Sequence, residues 1–542
     1  MKIIEIKNLQ VEYKNSKGIK NSLSSCSQQL APVLKNIDLD FYKGEITCIV
    51  GESGCGKTTL IKSITNILED ASINGNIYYN KTDLAKMDNK ELNKLRWSDI
   101  SYVFQNSKGS LNPRIKLKKQ LEDVLIRKYA KKEIKSKSIE LLEKVGLDSD
   151  CLELYPNELS GGMAQKFCIA MAISLEANTI IFDEPTSSLD SESRDYILKL
   201  IKDLKSSGKT IILVTHDLKL VKDYADKIVV MYGGQIVETG DAKTIIDNPK
   251  HMYTKGLINS CVDLNPYKEL SIIPGIYEFS NKGCSFYNRC TQRLSYCKEK
   301  NPTLNKYEDR NVYCNRGGIK KLLQAKSISK SFRKKEVLDN CNLDIYFSDI
   351  VSIVGKSGEG KSTLANIISG LDESYNGEIL LEDTNKTPRD MMKEFGGVQI
   401  IMQNPYDCIN DSFTVYEAIS EPLVINNINK YDILNDVKHY LDVVSLNNNE
   451  EFLNTKVSSL SGGQMQRVSI ARALVMKPKL LIADEITSMM DASSKANIIK
   501  YLKDIQQRVG LSMIFVTHDI ALAKRISDKI FLLKDKKINA LG

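Results

Sequence analysis

The residues best suited to chemistry fall into short constellations, each of which occurs twice. The run Gly51, Glu52, Ser53, Gly54, Cys55, Gly56, Lys57, Thr58, Thr59 returns as Gly355, Lys356, Ser357, Gly358, Glu359, Gly360, Lys361, Ser362, Thr363. Glycines at these spacings let consecutive backbone N–H groups turn inward, and a following helix adds its positive end. Such a loop cradles polyphosphate, with Lys57 and Lys361 reaching the β- and γ-phosphates and Thr58 and Ser362 holding Mg²⁺. Further along, Asp183-Glu184 and Asp484-Glu485 end apolar runs. The aspartates can approach Mg²⁺, and the glutamates, aimed to the other side, can orient an attacking water. A lone histidine is more often structural than catalytic. Only four occur here, however, and His216 and His518 hold equivalent places in LVTHD and FVTHD. Together these groups point to hydrolysis of a nucleoside triphosphate.

The elements that must position them are duplicated as well. Glycine loop, LSGG, acidic motif and THD motif recur in one order, at offsets of 301 to 304 residues. Four motifs in register mark a tandem duplication with a spacer. ITCIV (46–50) and IVSIV (350–354) read as buried strands, each running into its glycine loop and then a helix. TIIFD, KLLIAD, IILVTH and MIFVTH read as further buried strands. Each copy is therefore an α/β domain with a largely parallel sheet. Helical periodicity between the glycine loop and LSGG predicts a separate helical lobe in each copy.

Composition narrows the rest. A chain of 542 residues exceeds one core, and 42% hydrophobic with 27% charged residues fits a globular protein. A net charge of +8 is too thin for a nucleic-acid partner unless it is concentrated. Residues 114–137 do hold ten Lys/Arg against three acids, which reads first as a solvated face. No apolar run approaches the roughly 18–20 residues of a spanning helix, and the start lacks a secretory pattern. The twelve cysteines are expected to be reduced thiols in a cytosolic setting.

LSGG ahead of the acidic strand resembles the signature of ATP-binding-cassette (ABC) ATPases, and the likeness covers nearly all of the chain outside the spacer. The resemblance implies two tandem ABC-type P-loop ATPase domains, each with a RecA-like core and a helical subdomain. It implies that Gln105 (YVFQN) and Gln403 (IIMQN) touch Mg²⁺ and sense a membrane partner, and that His216 and His518 contact the γ-phosphate. Asp190 and Asp491 match a loop that signals between sites, and Tyr13 and Phe332 match an aromatic that stacks on adenine. It also implies that each ATP is sandwiched. One site pairs 51–59, Gln105, Glu184 and His216 with Ser461, Gly462 and Gly463. The other pairs 355–363, Gln403, Glu485 and His518 with Ser160, Gly161 and Gly162. Departures include Ile486 in place of a proline, Met489-Met490 before Asp491, and Ala164 and Lys166 where arginines are common. None removes a catalytic group, so two sites of unequal rate are expected.

The spacer carries Cys284, Cys290, Cys297 and Cys314. Four thiols in so short a stretch suggest a metal site, although the tight C-x2-C pairs of zinc knuckles are absent. The segment resembles the C-terminal extension of ATPases serving dipeptide, oligopeptide and nickel importers, and a [4Fe–4S] cluster is what that resemblance implies, with Zn²⁺ the alternative. YVFQNSKGSLNP and QNPYDCINDSFTVYEAISEPL resemble the same subfamily.

The expected domains are a first cassette over 1–262, a cysteine-rich spacer over 263–320 and a second cassette over 321–542. The expected function is the energising ATPase of an importer for peptides or a related solute such as chelated nickel. Its partners would be two transmembrane permeases and an extracytoplasmic solute-binding protein, without nucleic acid. The expected location is the cytoplasmic face of the cell membrane, held there through the permeases. The alternative is a soluble tandem-cassette ATPase acting on ribosomes, which would carry a long charged helical linker or an N-terminal ferredoxin-like cysteine run. A single P-loop kinase or GTPase does not account for the duplicated motifs. The polar stretch over 16–31 in the first copy reads as an exposed loop.

Overall fold

The structure is a computed structural model describing residues 1–13, 32–187, 189–266, 268, 272–278, 280, 282–333, 335–382, 384, 387–486 and 492–541. The 16–31 stretch, Met489, Met490 and Asp491 lie outside the described residues. The chain divides into two compact units. The first comprises Met1–Leu264, Tyr277–Asn288 and Leu294–Gly318, and the second Asn265–Ile276, Arg289–Arg293 and Ile319–Gly542.

In the first unit, the strands Lys227–Tyr232, Ile46–Val50, Thr210–Val214, Thr179–Asp183 and Ile100–Val103 lie side by side and parallel. Ile46–Val50, Thr179–Asp183 and Thr210–Val214 are buried at every residue, as strands covered on both faces must be. Gln235–Asp241 continues this sheet antiparallel, and two spacer strands, Arg310–Tyr313 and Leu304–Lys306, finish it. Part of the spacer is thus sheet of the first unit.

The second unit repeats the parallel core as Val398–Ile401, Leu480–Asp484, Ser512–Thr517, Ile350–Val354 and Lys529–Lys534. Its antiparallel edge is Lys537–Leu541. The apolar runs read from sequence therefore form strands where expected.

Each unit also holds a second, wholly antiparallel sheet that the sequence reading did not anticipate. It consists of Lys2–Tyr13 between Leu34–Tyr42 and Ala71–Tyr79, with Thr82–Asp83 at the edge, and of Lys321–Phe332 between Lys335–Tyr346 and Asn376–Leu381. Between the helix that follows each glycine loop and the helical lobe, the chain thus passes through a strand of this sheet. In the first unit, Ile4, Ile6, Leu9 and Phe41 of the antiparallel sheet share one core with Ile49, Ile181 and Ile212 of the parallel sheet. Leu60, Ile61 and Ile64 of the helix Lys57–Ile64 lie in that same core. The helix that opens at the glycine loop is therefore apolar filling between two sheets. Each such side chain contributes roughly 1.5–3 kcal/mol by leaving water.

The helical lobes follow. Leu117–Leu125, Ile134–Lys144 and Gly161–Ile173 serve the first unit, and Val415–Ile425, Lys430–Val443 and Gly462–Leu474 the second. In the second, Ile419, Val437, Leu441 and Val468 pack in one core with Leu481 and Phe515 of the sheet. Five of the ten basic residues of the 114–137 stretch are in ion pairs. Lys116 and Lys118 meet Glu153, Lys119 meets Asp123, Lys128 meets Glu176 and Lys137 meets Glu140. No helix among the described residues is long and apolar enough to cross a membrane.

One buried ion pair holds the spacer strand to the first sheet. Arg310, 4% exposed, lies 3.2 Å from the fully buried Glu238, whose carboxylate also accepts the N–H groups of Lys250 and His251 at 2.9 Å. Burial raises the Glu238 carboxyl, opposed by those donors and by Arg310. Breaking such a pair leaves a charge without its counter-ion. Arg310→Met should therefore destabilise the first unit by about 3–5 kcal/mol. In urea, hydrogen exchange of peptides from 237–260 should rise while that of 468–484 stays unchanged.

Candidate functional site

Each glycine loop leaves the end of a central buried strand and closes onto a helix. Gly56 and Gly360 cap Lys57–Ile64 and Lys361–Ser369 with φ of 101° and 99°, a backbone conformation in which a Cβ is strained. The loops also pass too close to the neighbouring strand for any side chain. A Cβ on Gly51 would stand 2.2 Å from the Met231 carbonyl oxygen, and one on Gly355 would stand 2.5 Å from that of Leu533. Lys57 lies buried beneath its loop, its Nζ donating to the Gly51 and Glu52 carbonyls at 2.8 and 3.0 Å. Lys361 Nζ donates to the Lys356 carbonyl at 2.9 Å. Ser53 and Gly54, and their counterparts Ser357 and Gly358, form the turns, while Thr59 and Thr363 lie in the first turn of the helices that follow.

The buried aspartates stand beside the first hydroxyl of each helix. Burial raises the Asp183 carboxyl, against the hydroxyls of Tyr102 and Thr58 next to it. Its Oδ2 accepts from Tyr102 at 3.0 Å, while the buried Oδ1 is left without a hydrogen-bond partner. An orphaned carboxylate oxygen next to a threonine hydroxyl suits Mg²⁺, a hard cation that takes oxygen ligands. In the second unit, Ser362 Oγ donates to Asp484 Oδ1 at 3.2 Å, and burial likewise raises that carboxyl. Tyr102 is a site residue that the motifs did not single out. Its counterpart is Ile400, so the second site has no phenol there.

The structure brings Gln105, Glu184 and His216 together. Gln105 Nε2 donates to Glu184 Oε2 at 3.0 Å, and His216 Nδ1 lies 3.4 Å from Oε1. Glu485 instead pairs with Lys361 at 3.2 Å. Gln403 and His518 lie on the exposed surface of the second unit. Both glutamates hold positive φ, 50° for Glu184 and 44° for Glu485. For a non-glycine residue that costs about 1–3 kcal/mol and is typical of functional positions. Gln165 Nε2 donates to the Glu184 carbonyl at 2.9 Å, and Gln466 Nε2 to that of Ile486 at 3.0 Å.

Ser160 and Ser461 cap their helices, accepting from the N–H groups of Met163 and Gln464 at 3.1 and 3.3 Å. The exposed Gly161 and the half-buried Gly162 open one helix, and the exposed Gly462 and Gly463 open the other. Tyr13 is partly exposed, its hydroxyl 3.3 Å from Thr59 Oγ1. Phe332 is exposed with the Lys330 ammonium 4.8 Å from its ring centre. Asp190 caps Ser191–Ser206, accepting from Ser193 N–H at 2.9 Å.

A second residue outside the motifs belongs to the first loop. The Glu52 N–H donates to the hydroxyl of Tyr253, a buried residue of the helix Met252–Asn259, at 2.8 Å. Nothing local in the sequence joins positions two hundred residues apart.

The cysteine segment departs from expectation. Cys284, Cys290, Cys297 and Cys314 are all described, and no group of three or more His, Cys, Asp or Glu among the described residues is placed to hold a metal ion. Burial, then Cys314 and Cys297, pushes the Cys284 thiol up to about 11. The residues as arranged do not fit the implied [4Fe–4S] cluster or Zn²⁺, and no step below runs through either.

Gly51→Ala should force the loop off the Met231 carbonyl. Binding of a fluorescent ATP analogue to the first cassette should fall at least tenfold, read by analogue crosslinking and peptide mapping, since the N–H cradle cannot keep its geometry.

Comparison with known proteins supplies the family. The ABC transporter profile matches residues 34–187 and again 338–488, and that of the oligopeptide/dipeptide transporter C-terminal region matches 237–297. The glutathione import ATP-binding protein GsiA of Salmonella choleraesuis (strain SC-B67) is 31% identical over 533 residues, covering 95% of this chain and 84% of its own. GsiA of Escherichia coli (strain K12) is 30% identical over 541 residues, with the same coverage. A solved structure, the dimeric post-hydrolysis state of the ATP-binding cassette MJ0796 bound to ADP and phosphate, shares 28% identity. It covers 44% of this chain and 99% of its own, with a TM-score of 0.40. Two cassettes joined through an importer-type region, on a parallel-sheet core with duplicated phosphate loops, make this chain a member of the ABC transporter family, an ATP-hydrolysing subunit of the importer kind.

Proposed function

We propose that the chain hydrolyses ATP at two sites and so drives import of a peptide-class solute, glutathione or a di- or oligopeptide, through partner permeases. The observation that carries this reading is the twofold assembly of glycine loop, buried aspartate and positive-φ glutamate in a chain whose spacer matches the oligopeptide/dipeptide region. That match also sets aside the ribosomal alternative, because it falls on the segment where a charged helical linker would be needed.

Loops 51–59 and 355–363 hold the phosphates through backbone N–H groups, with Lys57 and Lys361 on the β- and γ-phosphates. Thr58 with Asp183, and Ser362 with Asp484, would hold Mg²⁺, with Gln105 and Gln403 as further oxygen donors to it. Mg²⁺, when bound, offsets charge on the β- and γ-phosphate oxygens. Glu184 and Glu485 orient a water in line with the γ-phosphorus and take its proton as the P–O bond to ADP breaks. His216 and His518 donate to the γ-phosphate oxygens, and Tyr13 and Phe332 stack on adenine. Each ATP is clasped by the signature residues of the other cassette, Ser461, Gly462 and Gly463 for the first loop and Ser160, Gly161 and Gly162 for the second. The capping geometry of Ser160 and Ser461 supports this, since a capped helix start presents N–H groups to an anion. The differing surroundings of Glu184 and Glu485 support unequal rates at the two sites.

Two permeases and an extracytoplasmic solute-binding protein complete the importer, with this chain peripheral at the cytoplasmic face of the membrane. Glu184→Gln and Glu485→Gln should each retain ATP binding and lower turnover, and the double variant should fall at least about 10²-fold. Wild-type turnover in either single variant removes that glutamate from the mechanism. In proteoliposomes with the permeases, binding protein loaded with glutathione or a peptide should raise ATP hydrolysis. Stimulation by a nickel chelate alone rejects the peptide reading.

A further inference from the structure

The two glycine loops are held open by different means. In the second, Lys356 N–H donates to Glu359 Oε2 at 2.9 Å, so the loop is tied by a side chain of its own. In the first, the position of Glu359 is taken by Cys55, and the equivalent N–H, that of Glu52, goes to Tyr253 at 2.8 Å. The loops otherwise turn alike, with Cys55 N–H on the Glu52 carbonyl at 3.3 Å and Glu359 N–H on that of Lys356 at 3.4 Å.

Tyr253 is not a stray surface contact. It belongs to the short helix Met252–Asn259, inside the region matched to the oligopeptide/dipeptide C-terminal profile. Its own N–H donates to His251 Nδ1 at 3.1 Å, and the His251 N–H is held by the buried Glu238 that pairs with Arg310. Its ring lies against Tyr232 and Phe286, with centroids 4.6 and 5.6 Å away. Burial raises its phenol, so the hydroxyl stays protonated and its oxygen remains an acceptor. The side chain is thus packed against two aromatic rings, with its hydroxyl on the loop.

We propose that Tyr253 is a positioning residue for the first ATP site, through which the C-terminal extension sets the nucleotide affinity of that cassette alone. The inference rests on the reading of 51–59 as an ATP loop and goes beyond it in assigning the extension a site-specific role. A half-buried N–H deprived of its acceptor favours loop geometries that reach water over the one that cradles phosphate.

The test uses the full chain with 8-azido-ATP and Mg²⁺, photolabelling followed by peptide mapping, so that the two cassettes are read separately. Tyr253→Phe keeps the ring and removes the acceptor. The concentration for half-labelling of the first cassette should rise about tenfold while that of the second is unchanged. The change in ATP hydrolysis should appear in KM rather than in kcat. Glu359→Ala should produce the mirror result, moving only the second cassette. If Tyr253→Phe moves both cassettes equally, or neither, Tyr253 serves packing alone and the proposal falls. If the wild-type chain labels neither cassette saturably, the ATP reading itself falls, which the variants alone would not produce.

Discussion

A phosphate-binding loop works only if its backbone comes closer to the rest of the fold than a side chain allows. Gly51 stands where a Cβ would press on Met231, and Gly355 where one would press on Leu533. That approach keeps the N–H groups turned toward one point and sets the start of the helix behind them. The helix in turn fills the space between the two sheets of the first unit, so the loop is anchored at both ends by apolar burial. Lys57, the aspartate and the glutamate take their places from this geometry. The lysine lies under the loop, and the carboxylates stand at the end of a strand in the same sheet.

Duplication has preserved that frame and altered what surrounds it. Glu184 rests against Gln105 and His216, whereas Glu485 is paired with Lys361. Tyr102 bonds Asp183 in one unit, and isoleucine stands at the matching place in the other. The groups that would touch nucleotide are nearly the same twice, and their supports are not. Such differences change what each carboxylate rests against without removing a functional group.

The spacer's cysteines suggested a metal site, and among the described residues no group of three or more His, Cys, Asp or Glu is placed to hold one. Its Arg310 is paired with the buried Glu238 of the first sheet. That pair is buried almost completely and satisfied by further donors, the condition under which a buried charge is tolerated. In the first unit the segment extends the sheet by two strands and packs Phe286 against Tyr232 and Tyr253, the residue whose hydroxyl meets the glycine loop.

By itself, the order of residues settled the chemistry and the parallel core. Glycine, lysine and carboxylate spacings are local, and buried strands such as Ile46–Val50 and Ile350–Val354 announce themselves as continuous apolar runs. The antiparallel sheets were not legible, because the pairings that complete them, Lys2–Tyr13 with Ala71–Tyr79 and Lys321–Phe332 with Asn376–Leu381, span long separations and burial along the strands is interrupted. Positive φ at Glu184 and Glu485 was equally hidden, since nothing about a glutamate asks for it. Tyr102 on Asp183, Tyr253 on Glu52 and Arg310 on Glu238 exist only once the chain is folded. Each joins a local motif to a distant segment, and hydrogen bonds of that kind are set by packing in three dimensions rather than by neighbours along the chain.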